Sequence, residues 1–422
     1  MGFWSYIGLI TVIYVAYKFV KRLGKGLPVL ELMLLIAGLQ WIVGALIEYR
    51  SPSMHWKYYM YVEQSTYMGF VVPAYALFSI VVLFVIRKSV NIEVELDRLK
   101  NYSNYGVIIF VIGVVFDVLG GVLPGALSFL GFILSNFKFV GAIILYYSEN
   151  KKLKKIFYVA IIYLLITSIF RALFHDFLLW SVFFYMFYAL KNKPSISKVL
   201  LTIVAGGLLA ATLQTVKSTF RSEVWNNYSG NKLELFVGLM VDSFFVDSTE
   251  LEDLNDGVDS NVRLNQGWII SAVMDNIPNN QEYLDGATIS DAVFASILPR
   301  VLNPSKTQAG GRENFRVFTG LEILEASMGI SIVGEAYGNF AHFGGIIFMI
   351  VWGFFLGKIW LYFWRKIRYN IIFIAFIPLI FLQVIKAETE LVVVLNHLIK
   401  SMIVVFLFLW FVKKYLKWSF EK

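Results

Sequence analysis

Runs of about 17–23 predominantly apolar residues recur along the chain, and each is long enough to cross roughly 30 Å of hydrocarbon as a helix. In that medium each segment must satisfy its own backbone N–H and C=O groups, so such a chain folds as a bundle of α-helices. Composition agrees: 58% of the 422 residues are apolar and 16% are charged, against roughly a quarter charged in a soluble domain. The expected fold class is an all-α polytopic membrane protein. Net charge is +8, but the basic residues sit in short loops between the runs, which argues against a nucleic-acid partner. The chain has no cysteine, so disulfides, thiolate nucleophiles and Cys-ligated metals are excluded.

The pattern predicts about eleven spans, at 3–19, 28–47, 67–86, 105–119, 125–147, 156–173, 177–190, 198–216, 338–361, 371–385 and 396–412. The loops then alternate. KRLGK (21–25), RKSVNIEVELDRLK (87–100), ENKKLKK (149–155), KNKPSISK (191–198), RKIR (365–368) and KKYLK (413–417) are basic. The loops at 48–66, 120–125, 171–176 and 386–390 carry little net positive charge. The positive-inside rule assigns the basic set to the cytoplasm, with the N-terminus outside and the C-terminus inside. In the first segment the positive charges follow the apolar run, the reverse of a cleavable signal peptide, so it reads as a retained span.

One connection differs in kind. Residues 217–338 hold 8 Lys and Arg against 17 Asp and Glu, net −9. Runs such as LELFVGLMVDSFF and NQGWIISAVMDNI repeat apolar residues at helical spacing. The expected organisation is a membrane bundle over 1–216, a helical extracytoplasmic cap over 217–337, and C-terminal spans over 338–422.

Three groups of residues are candidates for chemistry. Arg300, Lys306, Arg312 and Arg316 form a basic patch inside the acidic loop, with Arg263 a further cation upstream. Guanidinium groups bind phosphate oxygens through paired hydrogen bonds, so the patch suits a lipid diphosphate; the bland reading pairs these cations with the loop's own acids. Arg171, His175 and Asp176 lie in a tight turn between two spans, where ionisable groups tend to face a cavity. Arg171 and His175 share a face if that turn is helical. Snorkelling of Arg171 and helix capping by Asp176 are the alternatives. Glu335, Asn339 and His342 fall at i, i+4 and i+7 of one helix, hence on one face. Glu335 is either a general base or ligand for a sugar hydroxyl, or the ion-pair partner of a loop arginine. The glycines of Gly334-x-x-x-Gly338 and Gly353-x-x-x-Gly357 read as packing positions. The acidic run 247–260 lacks the ligand pattern of an EF-hand, and no metal or cofactor is expected.

Three passages resemble the Wzy-type oligosaccharide repeat-unit polymerases, the O-antigen polymerase family: RLNQGWIISAV, GATISDAVFASILPRVLNPSK and GISIVGEAYGNFAHFGGIIFMIVWGFFLG. The span number, the arginine-bearing turn and the single late loop resemble that family as well. The resemblance implies a GT-C-like, inverting glycosyltransferase of the bacterial inner membrane, acting in lipopolysaccharide synthesis. The growing glycan would move from undecaprenyl diphosphate to a hydroxyl of the next lipid-linked unit at the outer face, with membrane lipid around it and a chain-length regulator as a further partner. Arginines would stabilise the leaving diphosphate, and Glu335, His175 or Asp176 would take the proton. An O-antigen ligase and a lipid-linked oligosaccharide flippase are the competing readings; a flippase predicts charges within the spans and internal repeats.

Overall fold

The computed structural model describes residues 2–52, 58–90, 95–120, 123, 125–172, 174–226, 228–245, 264–297, 311–322 and 328–419. Among them all regular structure is helical. The first half comprises α1 (Phe3–Arg22), α2 (Val29–Gly38), α3 (Gly44–Arg50), α4 (Gln64–Val90), α5 (Ser103–Leu119), α6 (Gly125–Ser135), α7 (Phe137–Tyr146), α8 (Lys151–Arg171) and α9 (His175–Asn192). The second comprises α10 (Ile196–Trp225), α11 (Lys232–Phe245), α12 (Gly267–Asn276), α13 (Ala287–Ile297), α14 (Arg312–Thr319), α15 (Ile332–Tyr369), α16 (Phe373–Phe381) and α17 (Leu391–Tyr415). Nine stretches among the described residues are long and apolar enough to cross a membrane, and they coincide with nine of the eleven expected spans. The expected spans 177–190 and 371–385 appear as α9, 18 residues long with a polar start, and as α16. All 9 residues of α16 are buried. At 1.5 Å per residue α16 covers about 14 Å, so it fills the interior of the bundle rather than crossing it alone.

Side-chain contacts sort the loops into two ends. At one end Arg22 pairs with Glu31 at 2.5 Å and donates to Ser89 Oγ at 2.9 Å, which also receives the indole N–H of Trp360 at 3.1 Å. Lys100 pairs there with Glu149 at 2.7 Å. These contacts join members of the basic loop set. At the other end Trp41 donates its indole N–H to Ala387 O at 3.2 Å, Lys386 pairs with Asp176, and the backbone N–H of Tyr61 reaches Ser271. These join the acid-bearing loops.

Glycine sets the closest helix crossings. A Cβ on Gly113 of α5 would overlap the Lys138 backbone of α7. On α15, a Cβ at Gly353 would lie 2.9 Å from Phe78, and one at Gly357 would lie 2.7 Å from Val85, both on α4. The packing role expected of that second glycine pair therefore holds. The upstream pair packs as well: Gly334 makes ordinary contacts with Ile270 and Val273 of α12, and a Cβ on Gly338 would lie 2.5 Å from the Phe318 ring of α14.

The described parts of the long connection are mostly helical, and two of the expected boundaries fall within helices. Helix α10 runs unbroken through the expected boundary at 216, and α15 begins before the one at 337. Helix α11 packs on α10 and α8, α12 on α14 and α15, and α13 on α17. A small core of Trp268, Ile269, Val273, Ile277, Phe315, Phe318 and Ile330 lies beneath α12 and α14. Polarity changes at residue 217, but a helix ends only where backbone geometry or capping ends it.

Two irregularities shape the site. A π-helical turn at Leu39–Val43 joins α2 to α3. There Gln40 O accepts the Gln266 N–H at 3.1 Å and Trp41 O accepts the Tyr67 hydroxyl at 2.7 Å. In α15, Ala341 has φ 57 and ψ −165, so two helices meet at a sharp kink. A Cβ on Gly345 would lie 3.2 Å from Ala336 O, although nine residues of straight helix span about 13 Å. The chain folds back there, and the Gly338 carbonyl accepts Leu284 N–H at 3.0 Å. The expectation that Glu335, Asn339 and His342 share one face thus fails between Asn339 and His342. The His342 ring instead lies edge-on to Phe70.

The kink yields a prediction of sign. In a continuous helix Ala341→Gly costs about 1 kcal/mol. At a left-handed residue, strain of about 1–3 kcal/mol is relieved instead. Ala341→Gly should raise the thermal unfolding midpoint in detergent and Ala341→Val should lower it; a lower midpoint for the glycine variant would argue for a straight helix.

Candidate functional site

Glu335 is buried, with 1% of its surface exposed. Its Oε1 accepts the Thr288 hydroxyl at 2.9 Å, and its Oε2 accepts the backbone N–H of Leu391 at 2.8 Å. Asn339, one turn later, donates to Thr288 Oγ1 and to Glu335 O, both at 2.8 Å. Leu391 is the first residue of α17, where the unpaired N–H groups and the helix dipole favour a negative group. The partners of Glu335 among the described residues are thus a hydroxyl and a helix terminus, rather than the arginine of the ion-pair reading. Neighbouring Glu390 accepts Asn314 Nδ2 from α14 at 2.6 Å.

The same short loop reaches the second candidate group. Lys386 pairs with Asp176 at 3.2 Å, and Glu388 Oε1 lies 3.6 Å from His175 Nε2. His175 is 44% exposed along its side chain. The turn carrying these residues is not helical: Ala172 adopts a left-handed conformation that ends α8, and α9 starts at His175. The expected shared face of Arg171 and His175 is therefore replaced by two helix ends placed side by side, with Arg221 of α10 donating to Ala172 O at 2.8 Å.

Arg171 stands at a cavity of about 100 Å³ walled by α5, α6, α7, α8 and α9. Buried Lys138 pairs there with Asp117 at 3.0 Å, and the Tyr163 hydroxyl donates to the same carboxylate. Asp176 lines the cavity too, as does Trp180, whose buried indole N–H has no partner among the described residues. Asp117 is matched by Lys138 and Asp176 by Lys386. Arg171 forms no ion pair within 4 Å with any described residue. The four charges lining the cavity thus balance, but with Asp176 drawn to Lys386 outside the lining, Arg171 keeps no close acid and the Trp180 N–H stays unmet, a pair of donors suited to an anionic oxygen ligand.

The two described members of the basic patch, Arg312 and Arg316, do not line this cavity. Arg263, Arg300 and Lys306 lie outside the described residues. Arg312 is exposed on α14, and Arg316 pairs with Glu313 at 2.8 Å, both side chains exposed. Arg316 lines a different recess with Asn276, Asn280 and Gln281. For Arg316 the bland reading is the one observed. Among the described residues no three His, Asp or Glu side chains converge as a metal site would need. Sequence reasoning missed Lys138, Asp117, Tyr163, Lys386 and Glu388 as members of the site. The available signal was two opposite charges interrupting consecutive apolar runs.

No family model, no curated protein and no solved structure matches this chain.

The clamp at Glu335 predicts a stability effect. Glu335→Ala leaves the Leu391 N–H and the Thr288 hydroxyl unsatisfied in a buried site, at a cost of about 1–3 kcal/mol. Glu335→Gln keeps one acceptor and should fall between the variant and the wild type. Thermal unfolding in detergent reads the order; an Ala variant as stable as the wild type would refute the clamp.

Proposed function

We propose that the chain is a membrane glycosyltransferase that lengthens glycans carried on a lipid diphosphate, at the end of the bundle bearing the 171–176 turn. The observation that carries this reading is the cavity in which Arg171 has no acid within ion-pair distance among the described residues. A diphosphate at a bilayer surface is the anion such a site most naturally meets. The resemblance to repeat-unit polymerases supplies the rest: undecaprenol as the lipid, the outer face as the location, and the next lipid-linked unit as acceptor.

The chemistry divides among the chain's own residues. An acceptor hydroxyl attacks the anomeric carbon from the face opposite the diphosphate. The new C–O bond forms as the bond to the phosphate oxygen breaks. The departing lipid diphosphate gains negative charge, which Arg171 offsets, with Lys138 behind it; fixed cations beside developing charge are worth most in a dry site. The hydroxyl proton passes to a base. Glu335 is engaged as a helix clamp and Asp176 is held by Lys386. His175, exposed and backed by Glu388, is the base in this reading, in the arrangement of an imidazole oriented by a carboxylate. Arg300 and Arg263 remain candidate ligands of the second lipid diphosphate.

One observation favours a second reading. The buried Asp117–Lys138 pair is the kind of intramembrane charge found in transporters of lipid-linked sugars. The two readings separate in one assay. Purified protein given a synthetic undecaprenyl-diphosphate oligosaccharide should yield a ladder of longer glycans. Arg171→Ala should abolish the ladder, and His175→Asn should slow it by about 10²–10⁴-fold, the usual weight of a general base. Translocation of the lipid in proteoliposomes without any ladder would establish the transporter instead.

A further inference from the structure

Tyr49, residues 60–65 and the start of α1 line an open recess of about 810 Å³, within the roughly 300–1,000 Å³ of small-molecule sites. Its walls differ in chemistry from those of the Arg171 cavity, and the two share no residue. Trp4, Tyr49 and Tyr61 supply aromatic surface, and Glu63, Gln64 and Ser65 supply hydrogen-bonding groups. Among the described residues no Lys or Arg lines it, and Glu63 is the charged one.

The aromatic wall is held in place. Tyr59 stacks on Tyr61 with ring centroids 4.2 Å apart, and the Tyr61 backbone N–H donates to Ser271 of α12 at 3.1 Å. The Tyr49 hydroxyl donates to Val62 O at 2.7 Å, and the Gln64 amide donates to Ser5 Oγ at 3.0 Å. The Ser271 contact also places the recess at the same end of the bundle as the 386–391 loop.

Such a lining discriminates between ligands. A phosphate or an anionic lipid headgroup would meet Glu63 with no wall cation among the described residues to offset it, which is unfavourable. A purely apolar ligand would cover the Glu63 carboxylate without giving it a donor. An uncharged pyranose satisfies both demands: its C–H face lies on an aromatic ring, and its hydroxyls donate to a carboxylate and exchange hydrogen bonds with an amide.

We infer that this recess binds an uncharged stretch of oligosaccharide, apart from the diphosphate cavity. Its use in holding a growing chain rests on the glycosyltransferase reading; the binding itself does not. The test is saturation-transfer NMR on the full chain in phosphatidylcholine nanodiscs, with maltohexaose, cellohexaose and chitohexaose as probes. At least one should show saturated ring protons. The signal should vanish in a Trp4→Ala, Glu63→Gln double variant and persist in Arg171→Ala. Trp4 and Glu63 are exposed, so an unchanged melting temperature confirms that the double variant is folded. Absence of signal from all three probes, or a signal indifferent to the double substitution, overturns the inference. A wild-type protein that binds a probe yet forms no ladder leaves this site standing and removes the glycosyltransferase reading.

Discussion

A carboxylate sealed from water must find donors, and the way Glu335 finds them ties the molecule together. One oxygen holds the hydroxyl of Thr288 on α13, the other the first N–H of α17. Three elements distant in sequence are thereby fixed at one point. The residues just before Leu391 extend the junction: Glu390 to α14, Lys386 and Glu388 to the start of α9, and Ala387 to Trp41. Five residues that look like an ordinary short loop thus set the position of the 171–176 turn. The geometry of the candidate base therefore depends on a carboxylate that, in this reading, does no chemistry.

What could be read from the sequence follows from the range of the forces involved. Span positions depend on the summed apolarity of some twenty residues, and nine of the expected spans coincide with long apolar helices. The grouping of loops into two ends depends on charge distribution, and contacts such as Lys100–Glu149 and Lys386–Asp176 agree with it. Ends and kinks depend on single backbone angles. Ala341 in a left-handed conformation carries no mark in the sequence, because alanine is the residue that best suits an unbroken helix. The shared face drawn through Glu335, Asn339 and His342 failed for that reason alone. The same holds for Ala172, which separates Arg171 from His175.

Asp117 and Lys138 are a different kind of miss. Each looked like a flaw in an apolar run, since a charge within a span is costly. Their pairing is possible because Gly113 and Gly141 let α5 and α7 approach backbone to backbone. The glycines and the charges are one device: close approach places the carboxylate within reach of the ammonium, and Tyr163 adds a further donor. Neither half is interpretable without the other. Intramembrane charges of opposite sign on consecutive spans, each with glycines at helical spacing, are therefore better read as one pair than as two defects.

Charge bookkeeping at the two recesses then separates what each can hold. Around Arg171 two acids face two cations, and with Asp117 held by Lys138 and Asp176 drawn to Lys386, Arg171 has no ion pair within 4 Å among the described residues. Around Trp4 and Tyr61 the described lining holds one acid and no Lys or Arg. Both recesses lie toward the end of the bundle that carries the 386–391 junction. A ligand with an anionic head and an uncharged polyhydroxylated body has use for both kinds of surface, whereas a free anion or a free neutral glycan has use for one. The two recesses thus differ in the charges that line them, and around Arg171 the difference is set by which acid each cation inside the bundle pairs with.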